Sequence, residues 1–247
     1  MIVNYPRMRR RAAWPDDLDT ALEFSSANPF SISAPKNWDG KLEYINGHGW
    51  KTWDGSEITS SENGSNHRIY LRGTGNSKIT GASSTKVAWN ITGTNIACNG
   101  DIDLLLDYST VKSGNRPAMA SYCYSSMFYG CTGLTAAPSL PATTLAIFCY
   151  AFMFYGCTGL TAAPSLPATT LVSQCYDFMF YGCKKLKLSS TASGTYTKSY
   201  RIPKSGTGTI ASTSSIGSNM FDKTGGTFTG TPEINTTYYL DESNTIV

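Results

Sequence analysis

The chain has 247 residues, of which 40% are hydrophobic and 12% aromatic, so it is long and apolar enough to bury a substantial core. Only 15% of the residues are charged, and the net charge of +3 is too small to predict nucleic-acid binding, although it leaves room for a local basic segment. No apolar run approaches the roughly 18 residues of a membrane span. Frequent Gly, Ser, Thr and Asn favour short strands and turns, so we predict a mixed, β-rich fold.

Residues 1–19 are predicted to form an N-terminal anchor arm that combines basic and aromatic side chains. The candidate anchoring residues are Tyr5, Arg7, Arg9, Arg10, Arg11 and Trp14. Arginine pairs with carboxylates and tryptophan fills pockets, so the arm would become ordered when it docks on a larger assembly. A solvated tail and weak, salt-sensitive contact with nucleic acid are the alternatives. Because no apolar segment follows the arginines, we expect no cleaved secretion signal.

Residues 20–97 are predicted to form an antiparallel β-sandwich. Short segments rich in β-branched and aromatic residues alternate with turns, among them the favoured hairpin turn Asn46-Gly47. Four aromatic residues of this segment are candidates for a glycan-binding platform: Tyr44, Trp50, Trp53 and Tyr70. We interpret them instead as core residues and single surface residues.

A repeat follows in residues 98–188 and is the strongest signal in the sequence. Met127–Leu145 recurs unchanged as Met153–Leu171, an offset of 26 residues, and a third copy begins at Met179. One copy cannot bury its own apolar face, whereas stacked copies bury it against each other. We therefore predict a short α/β solenoid, closed by a β-rich C-terminal cap in residues 189–247.

Inside one copy, the sequence predicts a helix and a row of buried thiols. Thr143-Thr144 offers N-caps, and Leu145, Cys149 and Met153 follow at helical spacing before Gly156 ends the helix. The cysteines recur with the repeat and should form buried ladders. A disulfide scaffold and a metal site are disfavoured, since the chain has seven Cys and only two His.

Tyrosines also recur with the repeat and are candidates for an adhesive surface. They are Tyr124, Tyr129, Tyr150, Tyr155, Tyr176 and Tyr181. A column of exposed tyrosines would make a broad contact area, although some of them must be core and the sequence does not show which. We expect no catalytic residues and no cofactor: Asp101 and Asp103, which alternate along an extended stretch, are interpreted as solvated turn carboxylates.

The segment Cys123–Leu186 resembles the BspA-like leucine-rich repeats, which occur in surface proteins of gut bacteria and of their phages. The resemblance is carried by the pattern Cys-Tyr-x-x-Met-Phe-Tyr-Gly-Cys-x-x-Leu and by the joining sequence Leu-Pro-Ala-Thr-Thr-Leu. The closing Thr231–Leu240 is similar to the usual ending of such proteins. The resemblance implies a curved solenoid used for adhesion or as a virion component, without catalytic residues.

The resemblance and the expected lack of a secretion signal favour a component of a bacteriophage virion. Such a head fibre, or another decoration of the capsid or tail, would assemble in the host cytoplasm and attach to capsid or tail proteins through its arm. It would be a homo-oligomer and would present the solenoid to a glycan or protein of a host or mucosal surface. A bacterial cell-surface adhesin is the alternative, and a carbohydrate-active enzyme is a third hypothesis.

Overall fold

The computed structural model of the chain describes residues 14–35, 38, 40–80, 88–211 and 217–247. Strands hold 28% of the residues and helices 5%, which confirms the predicted β-rich class. The helical segments are a 3-10 helix, Leu18–Thr20, and α1, Leu104–Lys112, which is kinked at Asp107. The strands are β1 (Leu22–Ser26), β2 (Ser31–Ser33), β3 (Leu42–Ile45), β4 (Lys51–Trp53), β5 (Ile58–Thr59), β6 (Ser61–Asn63), β7 (Asn66–Gly73), β8 (Asn90–Thr92), β9 (Ile96–Asn99), β10 (Leu134–Ala136), β11 (Ala162–Ala163), β12 (Thr170–Leu171), β13 (Leu188–Ser189), β14 (Tyr196–Arg201), β15 (Thr209–Ile210), β16 (Thr237–Asp241) and β17 (Thr245–Ile246).

Two antiparallel arrangements of strands precede the repeats. In the larger one, β7 pairs with β1 on one edge and with β3 and β6 on the other, and β1 also pairs with β9. In the smaller one, β2 lies between β5 and β8. Phe24 and Ile69 stand opposite each other in the β1–β7 register, and both are fully buried. Apolar side chains from both arrangements therefore supply one hydrophobic core.

The large sheet continues from the antiparallel strands into the repeats. Strand β9 pairs in parallel with β10, β10 with β11, and β11 with the C-terminal β17. Successive copies of a repeat run in the same direction, so equivalent short strands pair in parallel when the copies lie side by side. The predicted boundary between residues 97 and 98 falls inside β9.

Backbone hydrogen bonds join each copy of the repeat to the next. The Tyr124 amide donates to the Cys149 carbonyl over 2.9 Å, and the Tyr150 amide donates to the Cys175 carbonyl over 3.0 Å. A segment outside the repeats closes the far end, where the Phe180 amide donates to the Met220 carbonyl over 3.0 Å. The three copies and this closing segment are therefore stacked in register.

The helix predicted inside each copy is wrong. Phe148 and Phe152 have φ values of +56° and +57°, in the left-handed region, and Gly156 has +71°, so every fourth residue interrupts a right-handed helix. Some amides close tight turns within a copy; for example, the Met153 amide donates to the Tyr150 carbonyl. The amides between them donate to the next copy, as the Phe152 amide does to the Asp177 carbonyl. Hydrogen bonds between the copies replace the helical ones, and a chain of turns results.

The core contains a column of stacked phenylalanines. Phe128, Phe154, Phe180 and Phe221 follow one another with ring centroids 5.4, 5.6 and 5.4 Å apart. At its leading end, Phe24 of β1 lies 6.2 Å from Phe128. Such aromatic pairs contribute about 1 kcal/mol each beyond the area that they bury. The column thus connects the first sheet, the repeats and the closing segment.

Candidate binding surface

The first tyrosine of each copy lies inside the molecule. Tyr124, Tyr150 and Tyr176 are fully buried, and their rings stack with centroids 5.6 and 6.1 Å apart. Burial raises the pKa of all three phenols well above the ordinary value. These three residues were predicted as part of an adhesive surface, and that assignment is wrong because the turns direct them inward.

The second tyrosine of each copy lies at the surface. Tyr129, Tyr155 and Tyr181 are partly exposed, and their rings are stacked at 4.6 Å with planes within 9° of parallel. The Lys223 ammonium lies 5.0 Å from the Tyr181 ring centroid at the end of this column. Both faces of the Tyr155 ring are covered by its neighbours, so the column presents ring edges and phenol groups to solvent. Its predicted adhesive role stays a prediction.

Further aromatic residues lie beside this column. Phe152 and Phe178 stack at 5.0 Å, and their rings lie 6.1 and 5.6 Å from those of Tyr155 and Tyr181. A second stacked pair, Tyr122 and Phe148, has its ring centroids 4.8 Å apart. We call the partly exposed set the aromatic face; its members are Tyr122, Tyr129, Phe148, Phe152, Tyr155, Phe178 and Tyr181.

Sequence reasoning missed the phenylalanines of the aromatic face because it placed Phe148 and Phe152 in a helix. A signal was nevertheless present. Phe148, Phe152 and Gly156 are spaced by four residues, and glycine is the residue that most readily adopts a left-handed conformation. The same conformation at the two phenylalanines turns their side chains away from the core.

Most of the aromatic face lies in a part of the sequence without charged residues. Residues 117–176 contain no Asp, Glu, Lys, Arg or His. Ile147 adds an apolar side chain that is 46% exposed. The centres of protein interfaces are likewise depleted of charge and enriched in aromatic residues. The arrangement suits a broad contact with a partner surface, in which ring edges pack and phenols form hydrogen bonds.

The base of the N-terminal arm is fastened to the large sheet. Of the predicted anchoring residues, Tyr5, Arg7, Arg9, Arg10 and Arg11 lie outside the described residues. Trp14 is partly buried and packs edge to face on Tyr70, with ring centroids 5.5 Å apart. Its indole is thus held by the chain itself.

A buried arginine completes this attachment. The Arg72 guanidinium donates to Asp17 over 2.7 Å and to Glu43 over 2.9 Å, and it lies 3.7 Å from the Trp50 ring centroid. The Trp50 indole also donates to the Asp17 carboxylate over 3.0 Å. These hydrogen bonds lower the pKa of Asp17 below its usual value, so the carboxylate stays ionised. The segment just after the arm is therefore held in one place.

Asp103 is not the solvated turn carboxylate that the sequence predicted. Its side chain is 1% exposed, and it accepts a hydrogen bond from the Tyr124 hydroxyl over 3.1 Å. Arg116 lies beside both Asp103 and Asp101. Burial and the neighbouring Asp101 raise the pKa of Asp103 to about 6. The hydrogen bond between Tyr124 and Asp103 therefore links the start of α1 to the repeats.

The cysteines form the predicted buried ladders. No disulfide joins the seven cysteines, all of which lie in the described part of the chain and are buried. The Cys157 thiol donates to the Phe128 carbonyl over 3.0 Å, and the Cys183 thiol donates to Phe154 over 3.1 Å. Burial raises the pKa of both thiols. Among the residues described, no three His, Cys, Asp or Glu side chains are grouped to hold a metal ion.

Comparison of the chain with protein-family models, with curated proteins and with solved structures finds no match. The link to the BspA-like repeats is therefore the resemblance of the quoted residues. Within the described ranges, no helix is long and apolar enough to cross a lipid bilayer.

Proposed function

We propose that this chain is a non-enzymatic structural and binding protein of a bacteriophage virion, a head fibre or another decoration of the capsid or tail. The observation that carries the proposal is the aromatic face on the stacked repeats. Seven partly exposed aromatic side chains, five of them in the uncharged stretch 117–176, are the composition of a contact surface. The bound partner would be a protein or glycan of a host or mucosal surface.

The rigidity of the aromatic face supports this role. Hydrogen bonds between copies hold the backbone, and each ring of the Tyr129–Tyr155–Tyr181 column rests on another at 4.6 Å. Side chains that are already ordered lose little conformational entropy on binding. The surface can therefore bind a partner without first rearranging.

The finer architecture belongs to the same proposal. Stacked copies with parallel strands support a short leucine-rich-type solenoid, and the two antiparallel arrangements before them support a β-sandwich stalk. Residues 189–247 would form its β-rich cap. A core built on thiols without disulfides suits assembly in a reducing cytoplasm better than secretion, and this favours the virion over the bacterial adhesin. A homo-oligomer is expected, as in most fibres.

The arm would attach the protein to the particle. Its basic and aromatic residues, Tyr5, Arg7 and Arg9–Arg11, would contact capsid or tail proteins. Two contacts would attach the arm firmly to the large sheet: the ion pair between Arg72 and Asp17 and the packing of Trp14 on Tyr70.

The test is to compare phage particles purified from cells that make the full chain with particles purified from cells that make a chain lacking residues 1–13. This deletion keeps Trp14 and Asp17 and their contacts with Tyr70 and Arg72. Immunogold labelling and mass spectrometry should find the full chain on particles and the shortened chain only in the free fraction. Particles without the full chain, together with labelling of bacterial cell surfaces, would contradict the virion proposal and support the adhesin.

A further inference from the structure

A polar cleft lies on the large sheet, away from the aromatic face. It has a volume of about 760 Å³ and opens where two hairpins diverge along one edge of β7. Strand β3 pairs with β7 from Tyr70 to Gly73, and β6 pairs with β7 from Asn66 to Arg68. The turns of both hairpins therefore line the cleft, and Trp14 lines it as well.

The cleft combines one indole with several hydrogen-bonding groups. Its principal groups are the Trp14 indole, the Asn46 and Asn63 amides, the His48 and His67 imidazoles and the Glu62 carboxylate. These two histidines are the only ones in the chain. Amides and neutral imidazoles both donate and accept hydrogen bonds, and a carboxylate accepts them, so the set can pair with several hydroxyl groups at once.

Two of these groups are held in place before any ligand arrives. The Asn46 amide nitrogen donates to the Thr59 carbonyl over 2.9 Å, and its oxygen accepts from the Lys51 ammonium over 3.4 Å. The Trp14 ring is fixed against Tyr70 at 5.5 Å and 65°. An ordered site of this kind loses less entropy on binding than a flexible loop does.

The charges that line the cleft exclude some ligand classes. Lys51 and Glu62 carry opposite charges, and the lining includes one lysine and no arginine. A phosphate or nucleic acid needs several cationic groups, which this lining does not supply. The described residues here also hold no cluster of three metal ligands. The lining fits a neutral molecule with many hydroxyl groups and one apolar face.

We propose that this cleft binds an uncharged pyranose residue of a glycan. The C–H face of the sugar would lie on the indole of Trp14, and its hydroxyls would pair with Asn46, Asn63 and the two histidines. The proposal names a ligand class for the adhesion described above, and it rests on the proposed function only for its biological role.

The test is saturation-transfer-difference NMR on the purified full chain. The probes are methyl β-galactoside, methyl α-mannoside and N-acetylglucosamine, with glucose 6-phosphate and N-acetylneuraminic acid as charged probes. At least one neutral sugar should receive saturation, and His48→Ala, Asn63→Ala and Trp14→Ala should each weaken its binding about tenfold. Trp14→Phe keeps a ring against Tyr70 and should retain part of the affinity. Lys184→Ala, at an exposed residue outside the cleft, should change nothing.

Three results would overturn the proposal: no transfer to any neutral sugar, binding of the charged sugars only, or binding that the cleft variants leave unchanged. The outcome is separable from that of the virion proposal. A chain absent from particles can still bind sugar through this cleft, whereas a chain present on particles without sugar binding contradicts the cleft assignment alone.

Discussion

Replacing Tyr124 and Tyr150 separately by Phe compares two buried phenols of one column. The Tyr124 hydroxyl lies 3.2 Å from the Ile102 carbonyl and 3.1 Å from the Asp103 carboxyl oxygen, so it has acceptors. The Tyr150 hydroxyl is buried without a hydrogen-bond partner among the described residues. The same chemical change should therefore alter stability in opposite directions.

The magnitudes follow from the partners that each hydroxyl has. Tyr124→Phe removes a hydrogen bond to a carboxyl group and should cost about 2 kcal/mol. Tyr150→Phe removes a polar group that was desolvated without compensation and should stabilise the fold by about 1 kcal/mol. In a chain of this size, 1 kcal/mol moves the Tm by about 2–4 °C. We expect a Tm lower by roughly 4–8 °C for Tyr124→Phe and higher by roughly 2–4 °C for Tyr150→Phe.

The assay is thermal and urea unfolding followed by circular dichroism, with Tyr196→Phe, at a partly exposed residue of β14, as the control. The control should unfold within about 0.5 kcal/mol of the unmodified chain. Equal shifts for the two buried variants, or a Tyr150→Phe chain less stable than the unmodified one, would refute the assignment of partners in this column.

Other consequences can be tested on the same purified chain. Because the pKa of Asp103 is raised to about 6, its contribution to stability is complete below about pH 4 and is lost as the pH rises through 6. In urea unfolding, the unmodified chain should lose up to about 3 kcal/mol of stability relative to Asp103→Asn between pH 4 and pH 7. Parallel stability curves for the two chains would contradict this. The seven buried thiols should react with Ellman's reagent only on unfolding, so rapid labelling of the native chain would be inconsistent with the ladders. Arg72→Met should lower the free energy of unfolding by about 2 kcal/mol and speed amide hydrogen exchange in residues 14–20, whereas Arg72→Lys should retain part of the stability. Unchanged exchange in Arg72→Met would show that the position of Asp17 does not depend on this ion pair.

The sequence predicted the features that repeat and missed those that depend on contacts between distant segments. Identical blocks from Met127 and Met153 revealed the period, and the cysteine ladders followed from it. The helix was predicted wrongly because the left-handed conformation of Phe148 and Phe152 is stabilised by hydrogen bonds to the neighbouring copy, which a single copy does not contain.

The surface features show the same limit. Which tyrosine column is exposed depends on the direction of each turn, so the sequence period alone did not show which of the two columns lies at the surface. The attachment of the arm joins Asp17 to Arg72, 55 residues apart, and no local pattern indicates it. The cleft arises because β3 and β6 pair with the same edge of β7, a consequence of strand register.

The central claim is that the chain binds a partner through its aromatic face. The decisive variant combines Phe148→Gln, Phe152→Ser and Phe178→Ser. Gln174 is the equivalent of Phe148 in another copy, and Ser126 is the equivalent of Phe152 and Phe178. Their φ values of +53° and +60° show that the fold accepts Gln and Ser at these left-handed positions. The measurement is adsorption of particles carrying this variant to the cells or mucin that the unmodified particles bind, with Lys184→Ser as the control. We predict that adsorption falls about tenfold while the amount of the protein per particle stays unchanged. The Tm should fall by no more than about 4–8 °C, the loss expected for two stacked aromatic pairs. Equal adsorption of variant and control particles would contradict the claim.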